Sequence, residues 1–457
     1  MHEREFDVVL IGAGPAGEVA SGRLAGGGLS VALVEQHLVG GECSYYACMP
    51  SKALLRPAQA VAEARRTPGA AEAVTGALDV RSALARRDEV IHDLDDSSQL
   101  PWLEQRDVAL VRGRGELDGE RRVRVGDEVL VARRAVIACT GSTAALPPVP
   151  GLADARPWTN REATVTHEVP GRLLVLGGGV VGCELSQAFS SLGSMVTLIE
   201  PEPRLLGREE PFAADQVEAA LRAAGVDVRL GTRAQVVARG GAEVTAELSD
   251  GDTVRADEIL VAAGRRLNTS GLGLQSVGLP DDGPLETDEH LRVSGAADWL
   301  YAIGDVNGRA LLTHEGKYQA RVAADHILGR PADAVVHGGP LSPRVIFTEP
   351  QVAAVGHTLA SALDAGMNAR AVDADMNSTA GASYIGRKVP GTARIVVDED
   401  RRVLVGATFT GADVGEFVPA ATIAIVGDVS LDRLWHAVPS FPTRSEIWLK
   451  LLEGYGL

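Results

Sequence analysis

The sequence predicts an α/β protein with two copies of one strand, turn and helix unit, followed by a separate α+β unit. A glycine-rich turn follows an apolar strand near residue 12 and again near residue 177. From about residue 338 the pattern changes to strands at 344 to 347, 393 to 397 and 403 to 409 and helices at 358 to 366, 413 to 426 and 444 to 453. These observations indicate two Rossmann-like dinucleotide-binding domains and a C-terminal domain with an antiparallel sheet.

Length and charge limit the class of protein further. At 457 residues the chain is too long for one ordinary core, and its net charge of -17 disfavours nucleic acid or anionic lipid as the main partner. No apolar run approaches the roughly 20 residues that span a bilayer, and the opening residues lack the apolar region of a signal peptide. We therefore expect a cytoplasmic location and no membrane partner.

The first glycine-rich turn has the full pattern of a dinucleotide-binding site. An apolar strand over residues 6 to 11 leads directly into Gly12-Ala13-Gly14-Pro15-Ala16-Gly17, which opens a helical pattern. The glycines allow a tight turn and let the backbone approach a pyrophosphate at the positive end of the helix. A second strand ends at Glu35, close to the offset expected for the carboxylate that binds a ribose hydroxyl.

The same pattern returns in the second unit. A strand over residues 172 to 176 precedes Gly177-Gly178-Gly179-Val180-Val181-Gly182, and the next strand leads to Glu200. The last glycine lies eighteen residues before the acid in both copies, from Gly17 to Glu35 and from Gly182 to Glu200. The repeat predicts that the chain binds two dinucleotides.

Two cysteines five positions apart, Cys43 and Cys48, lie just after the first turn. Four cysteines are too few for a structural disulfide framework, so a close pair indicates a redox-active disulfide or a metal site. Zinc is the weaker alternative, because Cys139 and Cys183 provide no second pair at the usual spacing. An undistorted helix would separate the two Cα atoms by roughly 8.7 Å, whereas a disulfide tolerates at most about 7 Å. We therefore expect a break in the helix between them and a second disturbance at Pro50.

A further apolar strand, from Trp299 to Ile303, ends in Gly304-Asp305 at a turn. Asp305 is well placed to bind a polyol or ribose hydroxyl, and the alternative is an ordinary helix or turn cap.

These motifs, with the stretch Gly40 to Lys52, resemble the flavin-dependent pyridine nucleotide-disulfide oxidoreductases over essentially the whole chain. That group includes dihydrolipoamide dehydrogenase, glutathione reductase and mercuric reductase. The resemblance implies a homodimeric, FAD- and NAD(P)H-dependent oxidoreductase acting on a sulfur group. It assigns FAD to residues 1–155 and 275–337, the nicotinamide cofactor to residues 156–274, and dimerisation to residues 338–457.

The resemblance also implies roles for single residues. Cys48 is the thiol on the flavin side, Cys43 exchanges with the substrate, and Lys52 and Glu184 form an ion pair near the flavin. The candidate cofactor-binding residues are Gly12, Gly14, Pro15, Ala16, Gly17, Glu35, Gly41, Glu42, Cys43, Lys52, Thr140, Gly141, Gly304 and Asp305, with Gly177, Gly179, Val180, Gly182, Glu200 and Gly264.

Glu200 indicates which nicotinamide cofactor the chain prefers. A carboxylate there accepts hydrogen bonds from a free 2′-hydroxyl and repels a 2′-phosphate, and Glu202 adds to the repulsion. NADH is favoured over NADPH, although Arg204 and Arg208 lie near enough in the sequence for NADPH to stay an alternative.

The sequence departs from the family pattern near its C-terminal end. Disulfide-reducing members carry a His-Pro tail whose His is the acid and base for thiol exchange and whose Glu orients it. Here Phe441 stands in the place of the His, while Glu446 is retained. Phenylalanine cannot carry a proton, which removes an effect typically worth about 10²- to 10⁴-fold in rate. The resemblance implies that this tail reaches Cys43 of the partner subunit.

Several interpretations of this departure stay open. His436 or Tyr45 could handle the proton, although a capping role for the first and a packing role for the second are the plainer interpretations. The leading hypothesis is reduction of a disulfide or other sulfur electrophile that needs little protonation. The alternatives are a quinone or diaphorase-type reductase with auxiliary cysteines, a metal-ion reductase such as mercuric reductase, which has Tyr in place of the His, and a non-enzymatic redox sensor.

Overall fold

A computed structural model describes residues 2–335, 338–387, 389 and 391–457. The strands are β1 (His2–Ile11), β2 (Val31–Glu35), β3 (Val108–Arg112), β4 (Gly115–Leu117), β5 (Arg122–Val125), β6 (Glu128–Ala138), β7 (Ser142–Ala144), β8 (Arg172–Leu176), β9 (Met195–Glu200), β10 (Asp227–Leu230), β11 (Ala234–Gly240), β12 (Glu243–Leu248), β13 (Thr253–Ala256), β14 (Glu258–Val261), β15 (Arg265–Leu267), β16 (Leu300–Ala302), β17 (Arg344–Ile346), β18 (Gln351–Gly356), β19 (Ala369–Asp375), β20 (Thr392–Asp398) and β21 (Val403–Gly411).

The α-helices lie between groups of these strands. They are α1 (Pro15–Gly26), α2 (Gly41–Tyr45), α3 (Cys48–Arg66), α4 (Val80–Val90), α5 (Leu100–Glu104), α6 (Asn160–Val165), α7 (Val180–Ser191), α8 (Pro211–Ala223), α9 (Thr313–Ile327), α10 (Leu359–Asp364), α11 (Val418–Val426), α12 (Leu431–Leu434) and α13 (Ile447–Tyr455). Within the described residues, no helix combines the length and the apolar character needed to cross a bilayer.

The first of two compact units contains Met1–Pro50, Asp88–Ala144 and Arg265–Gly339. Its main sheet has the strand order β3-β2-β1-β6-β5-β4, with β16 also paired to β6. The strands β3, β2, β1, β6 and β16 are parallel neighbours, and β5 and β4 continue the sheet antiparallel. Every residue of β2 is buried, as expected for a parallel strand that is covered on both faces.

This topology brings the predicted residues of the first unit to one edge of the sheet. The carboxyl ends of parallel strands meet at the same edge, and ligands of such folds bind there. Gly12 follows β1, Glu35 ends β2, Thr140 follows β6 and Asp305 follows β16. Four segments that are far apart in sequence therefore converge.

Helices α1 and α9 pack against each other in this unit. An added Cβ at Gly316 would lie 3.4 Å from the Cβ of Ala16. Further along both helices, Arg23 and Asp325 form an ion pair with an N–O distance of 2.5 Å. These two contacts align α1 and α9 near both of their ends.

The second unit contains Ser51–Arg87, Ala145–Gly264 and Pro340–Leu457. It has a parallel sheet, β10-β9-β8-β14, an antiparallel sheet, β11-β12-β13, and a five-stranded sheet, β17-β18-β21-β20-β19. All neighbours in the five-stranded sheet are antiparallel, as predicted for the C-terminal domain. The compact units group residues differently from the predicted domain limits, which stay a prediction.

The predicted helix break between the two cysteines is present. Helix α2 ends at Tyr45, and Tyr46 follows with φ -130° and ψ -4° before α3 begins at Cys48. The prediction of a second disturbance at Pro50 is wrong. Pro50 is the third residue of α3, where backbone amides have no partner within the helix, so the missing N–H leaves no hydrogen bond unmade.

Candidate active site

The first glycine-rich turn depends on two close backbone contacts. Gly12 has φ 111°, and a Cβ there would lie 2.3 Å from the carbonyl oxygen of Cys139. A Cβ at Gly17 would lie 2.1 Å from the carbonyl oxygen of Gly12. At Gly14, which caps α1 without a side-chain hydrogen bond, nothing lies within 4 Å of such an atom. The helix N-terminus is therefore open to an anionic group.

The second turn has the same construction. Gly177 has φ 109°, and a Cβ at Gly182 would lie 1.8 Å from its carbonyl oxygen. Gly179 caps α7 with open space beside it, and the neighbouring Val180 is 43% exposed. Gly264, which follows β14 with φ 132°, has nothing within 4 Å of an added Cβ. The second turn thus leaves room for a nucleotide at a helix N-terminus.

The two predicted ribose-binding acids hold their turns in place. Glu35 is 8% exposed and accepts hydrogen bonds from the amides of Ala13 and His37, both at 2.7 Å. Glu200 accepts a hydrogen bond from the amide of Gly178 at 2.6 Å. A carboxylate has about four lone-pair positions, so each acid keeps acceptor capacity for a hydroxyl group.

Asp305 lies in a small polar network at the end of β16. It accepts a hydrogen bond from Ser142 at 2.5 Å, and the Nε of Arg265 donates to Ser142 at 2.6 Å. Arg265 also lies 4.0 Å from Glu42. Burial raises the pKa of the Asp305 carboxyl group, while Ser142 and Arg265 oppose the rise. The network positions this carboxyl group rather than leaving it as a simple turn cap.

The remaining predicted residues of this edge are also in place. Thr140 and Asn268 exchange two hydrogen bonds, at 2.7 and 2.9 Å, and Gly141 has φ 73°. The amide of Gly304 donates to Gln319 on α9 at 2.8 Å. These bonds connect the ends of β6 and β16 to neighbouring segments of the same unit.

The redox stretch lies directly against the first turn. A Cβ at Gly41 would be 2.7 Å from the Cα of Gly14, so only glycine allows this approach. Cys43 lies in α2 and Cys48 is the first residue of α3. The Sγ of Cys48 is 3.5 Å from the Oγ1 of Thr313, the first residue of α9.

Cys48 influences the ionisation of Cys43. A hydrogen bond with Cys48 raises the pKa of Cys43 well above the usual range for a thiol, and burial raises it further. A hydrogen bond from Thr313 and the charge of Lys317 act in the opposite direction. Because the thiolate is the attacking species in disulfide exchange, Cys43 needs help to lose its proton.

Tyr45 does not supply that help. Its side chain is 1% exposed, and its hydroxyl is buried with no hydrogen-bond partner among the described residues. Burial, with a smaller contribution from Asp96, raises the pKa of Tyr45 to about 12. The packing interpretation of this residue is therefore favoured over the proton donor.

The predicted ion pair of Lys52 and Glu184 is present in the second unit. Their N–O distance is 2.6 Å, and the Glu184 side chain is 3% exposed. Glu184 also accepts a hydrogen bond from the amide of Phe347 at 2.8 Å, while the Lys52 ammonium lies 4.8 Å from the centre of the Phe347 ring. The pair is held by the backbone and by an aromatic ring.

The C-terminal tail presents Phe441 to solvent, with 76% of the side chain exposed. Tyr384 donates a hydrogen bond to the carbonyl of the next residue, Pro442, at 3.0 Å. The Oε2 of Glu446 is buried and has no hydrogen-bond partner in the described part of the chain. A buried carboxylate oxygen without a partner is costly, so this oxygen is an acceptor that a further donor could use.

Comparison with known proteins places the chain in a family. The model of the pyridine nucleotide-disulphide oxidoreductases matches residues 6–326, and the model of their dimerisation domain matches residues 342–452. The chain belongs to the pyridine nucleotide-disulphide oxidoreductase family. Members of this family bind FAD and NAD(P)H. The chain is accordingly an NAD(P)H-dependent flavin oxidoreductase that acts on a disulfide, and its dimerisation domain supports a homodimer.

Individual relatives cover nearly the whole chain. It is 34% identical to dihydrolipoyl dehydrogenase of Thermus scotoductus, over 99% of this chain and 97% of the relative. It is 28% identical to mercuric reductase of Staphylococcus aureus, over 97% of this chain and 81% of the relative. Among solved structures, LpdA of Mycobacterium tuberculosis is similar with a TM-score of 0.87 and 25% identity, over 100% of both chains. The HOCl-induced flavoprotein disulfide reductase RclA of Escherichia coli shares the fold, with a TM-score of 0.86 and 24% identity over 98% of this chain and 99% of that one.

The geometry of the first unit fits FAD. The uncapped N-terminus of α1 with open space at Gly14 suits a pyrophosphate, Glu35 suits a ribose, and Asp305 suits a polyol chain. The uncapped N-terminus of α7 and Glu200 suit the nicotinamide cofactor in the second unit in the same way. The sequence does not indicate Thr313 and Lys317 as site residues, because only the packing of α9 brings them to the cysteines.

Proposed function

We propose that this chain uses NADH, with FAD and the Cys43–Cys48 pair, to reduce a small disulfide or another sulfur electrophile. When bound, FAD supplies a two-electron carrier between the nicotinamide and the cysteine pair. The observation that carries the proposal is the position of Cys48, 3.5 Å from Thr313 at the N-terminus of α9. A helix N-terminus stabilises negative charge, which supports Cys48 as the resting thiolate and Cys43 as the exchanging thiol.

Thiol–disulfide exchange transfers two electrons from the reduced Cys43–Cys48 pair to the substrate disulfide. The Cys43 thiolate attacks one sulfur of the substrate, forming a mixed disulfide and releasing the first substrate thiolate. Cys48 then attacks the Cys43 sulfur, which closes the Cys43–Cys48 disulfide and releases the second thiolate. NADH returns two electrons to the pair, and solvent supplies the protons taken up by the leaving thiolates.

We propose that the chain lacks the family's His acid and base, with Phe441 in its place. The unpartnered Oε2 of Glu446 supports this, because the family's Glu orients the His through a hydrogen bond. A substrate whose leaving thiolate is already stable at neutral pH needs no proton from the enzyme. Aromatic disulfides, and other disulfides that release a thiol of low pKa, are therefore the favoured substrate class.

Replacement of Cys43 by Ser tests the function. We expect NADH-dependent reduction of 5,5′-dithiobis(2-nitrobenzoate) to fall at least ~100-fold, because a hydroxyl cannot form the mixed disulfide. Ser44→Ala, at the neighbouring position of α2, is the matched control and should retain activity. Disulfide reduction that survives in Cys43→Ser, together with unchanged menadione reduction, would instead support the quinone reductase.

We propose NADH as the preferred reductant, supported by the position of Glu200 at the end of β9, beside the second turn. Its carboxylate faces the amide of Gly178, and the Nη2 of Arg204 already donates to the carbonyl of Gly207 at 3.2 Å. We expect the Kd for NADH to be at least ~10-fold lower than that for NADPH, since a 2′-phosphate near a carboxylate is repelled. Stopped-flow reduction of the bound flavin measures both, and tighter binding of NADPH would contradict the assignment.

Three further assignments belong to the same proposal. Lys52 and Glu184 lie near the flavin and tune it. The FAD-binding domain comprises residues 1–155 and 275–337, the NAD(H)-binding domain residues 156–274, and the dimerisation domain residues 338–457. We propose the cytoplasm as the location, supported by the low cysteine count of a chain adapted to a reducing compartment.

A further inference from the structure

Phe347 contacts both members of the Lys52–Glu184 ion pair. The Lys52 ammonium lies over its ring, 4.8 Å from the ring centre, and its backbone amide donates a hydrogen bond of 2.8 Å to Glu184. Glu184 uses its two oxygens separately, Oε1 for this amide and Oε2 for Lys52 at 2.6 Å. The three residues therefore form a closed set of contacts within the second unit.

Glutamines from two helices hold the backbone that carries this ring. Gln59 of α3 donates to the carbonyl of Phe347 at 2.7 Å. Gln187 of α7 accepts from the amide of Glu349 at 2.7 Å and donates to its carbonyl at 3.0 Å. Because α3 also carries the lysine of the ion pair and α7 its glutamate, the ring is tied to the same helices as the pair.

Packing fixes the ring further, whereas the lysine is the mobile member of the set. Phe347 is partly buried and packs against a cluster of buried residues that includes Leu54 of α3 and Ala188 of α7. The Lys52 side chain is 33% exposed, and a long side chain loses conformational entropy when it is held in one position. An aromatic face attracts a cation through its quadrupole. The fixed ring therefore limits the positions that the ammonium can take.

We propose that Phe347 is a positioning residue for the flavin, because its ring holds the Lys52 ammonium in place. The inference rests on the proposed function, in which Lys52 and Glu184 lie near the flavin. A reduced flavin carries more negative charge than an oxidised one, so a fixed positive charge beside it favours reduction. An ammonium that moves out into water is screened and loses part of this effect.

Flavin reduction at equilibrium tests this role without turnover. Each protein carries Cys43→Ser, which removes the disulfide, so that added electrons stay on the flavin. The FAD-loaded protein is reduced stepwise without oxygen beside a redox dye of known potential, and absorbance gives the fraction of reduced flavin. Phe347→Leu should lower the equilibrium constant for reduction about fivefold, since it removes the ring but keeps the amide and an apolar side chain. Phe347→Tyr retains the ring and should stay within about twofold of the parent.

Lys52→Met shows whether the ring acts through the ammonium. It should lower the equilibrium constant at least as much as Phe347→Leu does, and the two changes together should cause no further fall. A merely structural role of the ring would give losses that add in full. Phe212→Leu is the matched control, because the Phe212 ring faces Arg394 at 5.0 Å in the same unit and its loss should leave flavin reduction unchanged.

Acetylation of Lys52 gives a second readout, which does not depend on the response of the flavin. The chain has four lysines, and Lys450, at an exposed position of α13, is the internal reference. The FAD-loaded protein is treated briefly with acetic anhydride, and the labelled peptides are measured by mass spectrometry. Relative to Lys450, Lys52 should react about threefold faster in Phe347→Leu than in the parent, because the ring no longer restrains the ammonium.

The outcomes separate this inference from the proposed function. An unchanged equilibrium constant in Phe347→Leu, a loss that adds in full to that of Lys52→Met, or equal acetylation of Lys52 in Phe347→Leu and the parent would overturn the role of Phe347 alone. An unchanged constant in Lys52→Met would overturn the assignment of Lys52 to the flavin, and the inference with it. Failure of disulfide reduction as the function appears separately, as activity that survives in Cys43→Ser.

Discussion

Phe441→His should raise the rate of disulfide reduction at pH 7, by about 10²-fold for a substrate with a poorly leaving aliphatic thiol, because it restores a general acid. Under the proposed function Glu446 orients the new imidazole, and its buried Oε2, which has no hydrogen-bond partner among the described residues, is the acceptor for it. Phe441 is 76% exposed within its own subunit, so the replacement removes little packing there. Steady-state kinetics with oxidised lipoamide and with an aromatic disulfide measures the gain, which should be much smaller for the aromatic substrate.

The pH dependence of the rate shows whether the gain in Phe441→His comes from the new imidazole. The pKa of Cys43 is raised by Cys48 and by burial, so wild-type thiolate increases with pH throughout the range up to 9 and the rate should follow it. An imidazole titrates near 6.5 and accepts the proton above that value, so Phe441→His should be active at lower pH. Phe441→His combined with Glu446→Gln should lose part of the gain. If Phe441→His alone has wild-type rates with both disulfides, position 441 does not lie at the site of thiol exchange.

Gly182→Ala should abolish reduction of the flavin by NADH while leaving FAD bound. A Cβ at Gly182 would lie 1.8 Å from the carbonyl oxygen of Gly177, so the second turn must open to admit it. A displaced turn moves the N-terminus of α7 away from the pyrophosphate, and we expect the rate of flavin reduction to fall at least ~100-fold. Stopped-flow absorbance with NADH gives the rate, and the visible flavin spectrum reports FAD content.

Gly207→Ala is the matched control in the same unit. An added Cβ at Gly207 meets nothing within 4 Å, and the residue has no left-handed backbone conformation. It should retain full FAD content and normal reduction by NADH. Equal losses in both variants would mean that the unit is simply intolerant of substitution.

The local patterns of the sequence predicted the two turns well, because their chemistry is contained in short segments. Close contacts require glycine at Gly12, Gly17, Gly177 and Gly182, and such requirements are visible in a single stretch of sequence. The apolar parallel strands around them were predicted for the same reason, since burial on both faces leaves continuous apolar runs.

The C-terminal sheet was predicted less completely. Strands β18 and β19 were missed, because Gln351–Gly356 and Ala369–Asp375 are rich in Ala, and the second also in Asp, residues with low strand propensity. Pairing with β21 and β20 outweighs that propensity. Pro50 was misjudged because its effect depends on its position within a helix, and no residue signals that α3 begins only at Cys48.

The charges around the cysteines could not be predicted from local patterns. Thr313 and Lys317 lie in a helix that has no motif of its own, and Arg265 lies in a short strand paired with β7. The positions of Thr313 and Lys317 near the cysteines arise from packing between segments more than 200 residues apart in the sequence. The positions of Thr313 and Lys317 can be related to the cysteines only once the packing of α9 is known.

The pairing of β16 with β6 has a consequence for biosynthesis. Leu300 pairs with Val136, so the central sheet of the first unit is complete only after about two thirds of the chain has left the ribosome. Both cysteines are translated long before Thr313, and the nascent protein carries them without the helix that later stabilises their charge. During synthesis these thiols therefore lack the contact with Thr313 until α9 emerges and packs against α1.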